Sequence, residues 1–348
     1  MITSFEKADS ENINKEIMEK AAGILKKGGL VAFPTETVYG LGANGLDAAA
    51  CKKIYEAKGR PSDNPLILHI GDISQLDIIV KSVPEKAKMI MDKFWPGPVT
   101  LVFEKKDIVP DSVSGGLKTV AVRFPSNKLA RELINTFGLP VAAPSANTSG
   151  KPSPTKAEHV LNDMNGKIDM IIDGGSCDVG LESTILDVST ETASLLRPGA
   201  ITKEMIEAVI GEISVDLAVY KQLSKGEKPK APGMKYKHYS PDADVSLVTG
   251  DEERVIEKIN SLVKEDKKNG LKTGVMCREK NKNSYNADVV LSVGENIETA
   301  GARLFDLLRE FDALGVKKAY SETFDETGEG MAVMNRLKKA AGHKFIEA

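Results

Sequence analysis

Short apolar runs separated by polar loops dominate the first two thirds of the chain. Leu30–Phe33, Leu66–Ile70, Val99–Phe103, Thr119–Phe124 and Val141–Ala143 read as strands. Met170–Asp173, Ser183–Val188 and Ser194–Leu196 continue the series. Helical spacing intervenes in three places. Asp47 is placed to cap a helix running to about Lys58. Pro84 suits the first residue of a helix that ends before Trp95-Pro96-Gly97-Pro98. Ser126 is placed to cap a third helix, where Leu129, Leu133, Ile134 and Phe137 share a face and Gly138 ends the run. Strands and helices do not alternate one for one, so the pattern predicts a mixed α/β sheet.

The pattern changes near residue 242. Val245–Val248, Thr273–Cys277, Val289–Ser292 and Lys317–Tyr320 read as strands. Helices are predicted over about Glu252–Lys267 and Glu298–Leu314, and again from near Gly330. This alternation predicts a small, doubly wound parallel sheet. Between the halves lies YKQLSKGEKPKAPGMKYKHYS, rich in Lys, Pro and Gly and poor in periodicity, which reads as a linker. The expected organisation is a larger domain over 1–219, a basic linker over 220–241 and a smaller domain over 242–348.

Composition narrows the class. Of 348 residues 41% are apolar and 28% charged, which excludes disordered, collagenous and disulfide-scaffold chains. No apolar run reaches the roughly 18 residues of a membrane span, and the N-terminus lacks the apolar stretch of a signal peptide. Cys51, Cys177 and Cys277 are scattered, which argues for a reducing, cytoplasmic setting and against a structural zinc site. The net charge is −3, yet residues 220–241 hold six Lys and one Glu. Bulk charge therefore gives no reason for tight non-specific nucleic-acid binding. The cationic strip reads either as a solvated tether or as a segment acting on an anion.

Two glycine motifs are set aside. Gly40-Leu41-Gly42-Ala43-Asn44-Gly45 fits the dinucleotide fingerprint, but Pro34–Tyr39 separate it from its strand, and no acidic strand end follows about 20 positions on. Gly115-Gly116-Leu117-Lys118-Thr119 lacks the Walker spacing and leads into a strand. The informative residues lie in loops. Pro34–Leu41 places polar groups at a strand end, as a ligand site or as a hydroxyl-rich turn. Lys58 and Arg60 flank a glycine at a helix end, which suits polyphosphate and equally suits the helix dipole. Arg123 closes an apolar strand and can grip a carboxylate or pair with a structural acid. Pro144–Gly150 with Ser153, Glu182–Ile185 and Leu196–Gly199 add donors and one more cation. Jointly these favour a nucleotide or anion site over covalent catalysis.

Phe33-Pro34-Thr35-Glu36-Thr37-Val38-Tyr39-Gly40-Leu41-Gly42, Lys58-x-Arg60 and Ser145-x-Asn147 resemble the signature of the YrdC-type L-threonylcarbamoyladenylate synthases. Trp95–Thr100 and Leu196–Gly199 extend the likeness, and Pro232–Tyr239 resembles the linker of the two-domain branch. The resemblance implies a YrdC-like twisted mixed α/β sheet domain plus a smaller Rossmann-like parallel α/β C-terminal domain. It implies that ATP, L-threonine and bicarbonate or CO2 yield threonylcarbamoyl-AMP and pyrophosphate. A tRNA threonylcarbamoyl transferase would act downstream, on an adenosine beside the anticodon; direct, weak tRNA contact stays open. Mg2+ would come with ATP, with no prosthetic group, no protein metal site and no membrane.

Lys58 and Arg60 fit the role of stabilising the charge that gathers on carbamate and phosphates. By resemblance Thr37, His69, Arg123, Ala143 (through its backbone) and Ser183 would contact threonine. Arg60, Asn64, Thr119, Ser145, Asn147, Ser153, Arg197 and Tyr236 would line the ATP side. His69 by itself reads also as a satisfied core imidazole. Lys235, Tyr236, Lys237, His238 and Tyr239 interleave cations and rings, as a lid over ATP would. Two other readings share these residues: an RNA-binding or ribosome-assembly factor, and another ATP-dependent acyl-adenylate or carbamoyl transferase.

Overall fold

The computed structural model is described for residues 2–220, 229–232 and 238–348. It divides into two units, one from Met1–Ser149 and Ser153–Tyr236, the other from Gly150–Pro152 and Lys237–Ala348. Among the described residues no helix is long and apolar enough to cross a membrane.

The first unit is built on β1 (Ser4–Lys7), β2 (Val31–Phe33), β3 (Gly40–Asn44), β4 (Ile67–His69), β5 (Val99–Glu104), β6 (Thr119–Arg123), β7 (Val141–Ala142), β8 (Met170–Asp173), β9 (Thr184–Asp187), β10 (Ser194–Arg197) and β11 (Ser214–Val215). They form one sheet in the order β1-β8-β2-β3-β7-β4-β6-β5-β9-β10-β11. The sheet is mixed, as the broken alternation predicts: β4 and β6 run parallel, whereas β5 and β6 are antiparallel. On one face Val31, Phe33, Val141 and Met170 pack with Met18, Leu25, Leu129 and Leu133, from helices Lys15–Lys26 and Lys128–Phe137. Elsewhere Ile67, Val102, Ala121, Ile185 and Leu196 pack with Ala218 and Ala231. Ala231 belongs to the predicted linker and is fully buried on this unit.

Three local expectations change. Asn127, not Ser126, caps the helix Lys128–Phe137: its side-chain carbonyl accepts from the Ala130 N–H. Pro84 is the cap of the helix Glu85–Phe94 rather than its first residue. Gly40 and Leu41, read as loop, open β3, which pairs antiparallel with β2. Packing accounts for the central glycine of that run. A Cβ on Gly42 would lie 2.8 Å from Phe33 Cε1 and 2.9 Å from Val141 Cγ1. Close approach, not a pyrophosphate, demands the glycine.

Asp47 caps the helix Ala48–Lys58 as expected, accepting from the N–H groups of Ala49 and Ala50. Asp47→Ala should cost about 1 kcal/mol, read as a lower urea midpoint with an unchanged m-value.

The second unit contains β12 (Asp244–Thr249), β13 (Thr273–Cys277), β14 (Val289–Ser292), β15 (Lys318–Glu322) and β16 (Phe345–Glu347), in the order β14-β13-β15-β12-β16. Every pairing is parallel. Val255, Ile259 and Val263 of the helix Glu252–Lys268 pack on Val248, Val275 and Tyr320. β16 is the one strand here that the sequence pattern does not announce.

Candidate active site

Strand register lines up polar groups in the first unit. His69 sits opposite Arg123, and Arg123 opposite Thr100, across β4, β6 and β5. Residues paired in this way point to the same face. All three side chains are buried, Arg123 at 4% exposure. Thr100 Oγ1 lies 2.7 Å from the Oγ of Ser183, the residue just before β9. Arg197 extends the line: Nε donates to Ser183 O (3.0 Å) and Nη2 to Ser183 Oγ (3.2 Å), while Nη1 donates to Pro232 O (3.4 Å).

Loops close around this row. Arg123 Nη1 donates to Thr37 Oγ1 at 2.7 Å, and Arg123 Nη2 is 2.8 Å from Glu36 Oε1. The segment 35–41 is tied to the segment after β7: Tyr39 N donates to Pro154 O, Leu41 N to Pro144 O and Ala146 N to Tyr39 O. Val179 N donates to Glu36 O and Cys177 N to Thr155 O, which knits in a third loop. Ser153 Oγ donates to Glu182 Oε1 at 2.5 Å. Ala143 donates its N–H to Ile67 O.

The two cations of Lys58-Gly59-Arg60 serve different loops. Gly59 ends the helix in the left-handed conformation, φ 61°, which a glycine takes without strain. Lys58 is 2% exposed, and its Nζ donates to Ser145 O (2.5 Å) and Asn147 O (2.6 Å). Ser145 Oγ donates in turn to Asn147 Oδ1. Arg60 Nη2 donates to Pro65 O (3.0 Å) and Asn64 O (3.3 Å), and Tyr55 Oη also donates to Asn64 O. Asn64 is 1% exposed and its Oδ1 has no hydrogen-bond partner among the described residues.

The structure thus joins Thr37 with Arg123, Ser183 with Arg197, and Lys58 with Ser145 and Asn147. Thr119 stands apart from Arg123: it opens β6, four residues earlier, or roughly 13 Å of strand. Tyr236 lies outside the described residues, as do Lys235 and Lys237. The sequence reading does not single out Glu36, Thr100 or Glu182, which the structure sets against Arg123, Ser183 and Ser153. Thr100 carried a signal, a hydroxyl within the apolar run Val99–Phe103.

His69 stays uncharged at neutral pH. Burial, and then the nearby Arg123 charge, push its pKa down from 6.5 to about 3. Its contribution to stability is whole above pH 6.5 and is lost as pH falls toward 3, because only the unfolded chain takes the proton readily. Each unit in that window removes up to about 1.4 kcal/mol. Urea midpoints of the wild type should therefore drop between pH 6.5 and 4, and His69→Gln should flatten that slope.

Residues 23–199 match the Sua5–YciO–YrdC family model, described as "Telomere recombination", and residues 201–342 match "Threonylcarbamoyl-AMP synthase, C-terminal domain". The threonylcarbamoyl-AMP synthase of Pyrococcus abyssi is 50% identical over 97% of both chains. That of Bacillus subtilis is 51% identical over 97% of this chain and 96% of its own. The crystal structure of P. abyssi Sua5 complexed with L-threonine superposes with a TM-score of 0.94 at 49% identity, covering 99% of this chain and 100% of that one. E. coli YciO matches over 57% of this chain and 96% of its own, with a TM-score of 0.52 at 25% identity. With both family models matched in sequence order and relatives aligned from end to end, the chain belongs to the Sua5–YciO–YrdC family, in its two-domain form.

Proposed function

We infer that this chain is a threonylcarbamoyl-AMP synthase, an enzyme that converts L-threonine, bicarbonate or CO2, and ATP into threonylcarbamoyl-AMP and pyrophosphate. The observation that carries the reading is the end-to-end match to two proteins of that name, at 50% and 51% identity. The buried polar row supports it chemically. The threonine ammonium first gives up a proton to solvent; the neutral amine adds to CO2 and releases a second proton as the carbamate forms, and a carbamate oxygen then displaces pyrophosphate from the α-phosphorus. An unstable carbamate needs exclusion of water more than it needs a covalent catalyst. His69, Arg123, Thr100 and Ser183 supply a buried surface of that kind.

In this reading Arg123 binds the threonine carboxylate, with Thr37, His69, Ser183 and the Ala143 backbone around it. Neutral His69 offers a hydrogen bond without adding charge. Arg60, Asn64, Thr119, Ser145, Asn147, Ser153 and Arg197 line the ATP side. The Asn64 Oδ1 orphan supports this as an acceptor awaiting a donor. Lys58 holds the Ser145–Asn147 loop in place for the nucleotide. Bound with ATP as part of the substrate, Mg2+ would supply positive charge to offset that of the leaving pyrophosphate.

Residues 1–219 form the catalytic domain, 220–241 a basic lid and 242–348 the C-terminal domain. Of the linker, Ala231 is buried on the catalytic unit and the Pro232 carbonyl accepts from Arg197, which supports this reading; residues 221–228 and 233–237 lie outside the described residues. The product passes to a tRNA threonylcarbamoyl transferase in the cytoplasm. The test is pyrophosphate release with and without threonine and bicarbonate, alongside capture of a labile adenylate from labelled threonine. Release should need both. Release without threonine would indicate a different acyl-adenylate former, and salt-sensitive RNA binding with no turnover would indicate an RNA-binding factor.

A further inference from the structure

Buried polar atoms without a hydrogen bond are uncommon, and each calls for an explanation. Four such atoms in the catalytic unit belong to two residues: Oε1 and Oε2 of Glu36, and Nε and Nη2 of Arg123. The two side chains form an ion pair at 2.8 Å, but the contact lacks hydrogen-bond geometry. Side-chain exposure is 8% for Glu36 and 5% for Arg123. Glu36 Oε1 and Arg123 Nη2 thus meet as an ion pair outside hydrogen-bond geometry, while Glu36 Oε2 and Arg123 Nε have no hydrogen bond among the described residues. A buried ion pair is worth keeping for stability only when hydrogen bonds satisfy its remaining atoms.

The surrounding backbone holds Glu36 in place. Its carbonyl accepts from Val179 N, and its neighbours Thr35 and Thr37 are joined through their hydroxyls at 2.9 Å. Thr37 Oγ1 also takes Nη1 of Arg123. The leftover atoms therefore define the ligand by charge. A simple anion would satisfy Arg123 and be repelled by Glu36. A simple cation would meet the reverse. An α-amino acid carries a carboxylate and an ammonium on one carbon, and it satisfies both.

We propose that Glu36 is the specificity-determining residue that recognises the α-ammonium of the amino-acid substrate, while Arg123 takes its carboxylate. The inference rests on the threonine reading given under Proposed function. It adds a group to the site and explains why the site selects an amino acid rather than a hydroxy acid. A site built to bond an N–H donor rejects the analogue lacking it, because its own buried acceptor is then stranded.

Calorimetric titration of the full-length protein with L-threonine and with 3-hydroxybutanoate, its deaminated analogue, tests this. The wild type should favour threonine by at least about tenfold. Glu36→Gln should lose most of that preference by weakening threonine alone, leaving 3-hydroxybutanoate within about twofold. Glu36→Asp, which keeps the charge, should retain part of the preference. Equal weakening of both ligands in Glu36→Gln would mean that Glu36 merely holds Arg123, and would overturn the proposal. So would wild-type protein that binds both ligands equally, a result that needs no variant to fold. Wild-type protein that binds no threonine would overturn the threonine reading itself, and the proposal with it; that outcome shows in the first titration.

Discussion

Lys58→Ala should lower the rate of pyrophosphate release about a hundredfold, equivalent to about 3 kcal/mol. The ammonium donates to two backbone carbonyls, those of Ser145 and Asn147, and is itself almost wholly buried. Hydrogen bonds from a charged donor contribute roughly 1.5–3 kcal/mol each. Truncation removes both and leaves two carbonyls to find new partners. The loop they belong to carries the Ser145 and Asn147 side chains proposed for ATP. Loss of its order should raise the KM for ATP as well as lower kcat. A saturation curve in ATP separates the two. Full activity in this variant would remove Lys58 from the mechanism.

Arg123→Ala should abolish threonine binding and also destabilise the protein, by about 3–5 kcal/mol. The second effect comes from Glu36, whose carboxylate would stay buried without its cation. For a unit of this size that corresponds to a fall in Tm on the order of 10 °C. Scanning calorimetry at pH 7 measures it. The double variant Arg123→Ala/Glu36→Gln should recover part of the lost stability but none of the binding, because removing both charges costs less than stranding one. A double variant no more stable than Arg123→Ala would show that the ion pair is not the source of the loss.

Much of the fold was legible in the sequence because it is built from local apolar runs. β4, β8 and β14 are mostly Val, Ile, Leu and Met, and β6 and β13 carry the short apolar runs Val120–Val122 and Val275–Cys277. β3 escaped because Gly40 and Leu41 read as part of the preceding loop; Gly42 is small so that Phe33 and Val141 can pack against it. The helix Lys15–Lys26 escaped because Met18, Ala21, Ala22 and Leu25 are a thin apolar stripe among Lys and Glu. At the candidate site, residue types at strand ends pointed to loops that the structure ties to one another. What could not be read was which group each charge meets. Lys58 finds its carbonyls 87 and 89 positions away, and Arg123 meets Thr37 86 positions away. Such pairings come from sheet order, and no window along the chain contains them.

Arg197 bonds to Ser183 through both main chain and hydroxyl, and the same guanidinium also reaches the carbonyl of Pro232. One guanidinium thus fastens both the residue before β9 and residue 232, so Arg197→Ala would release the two attachments together.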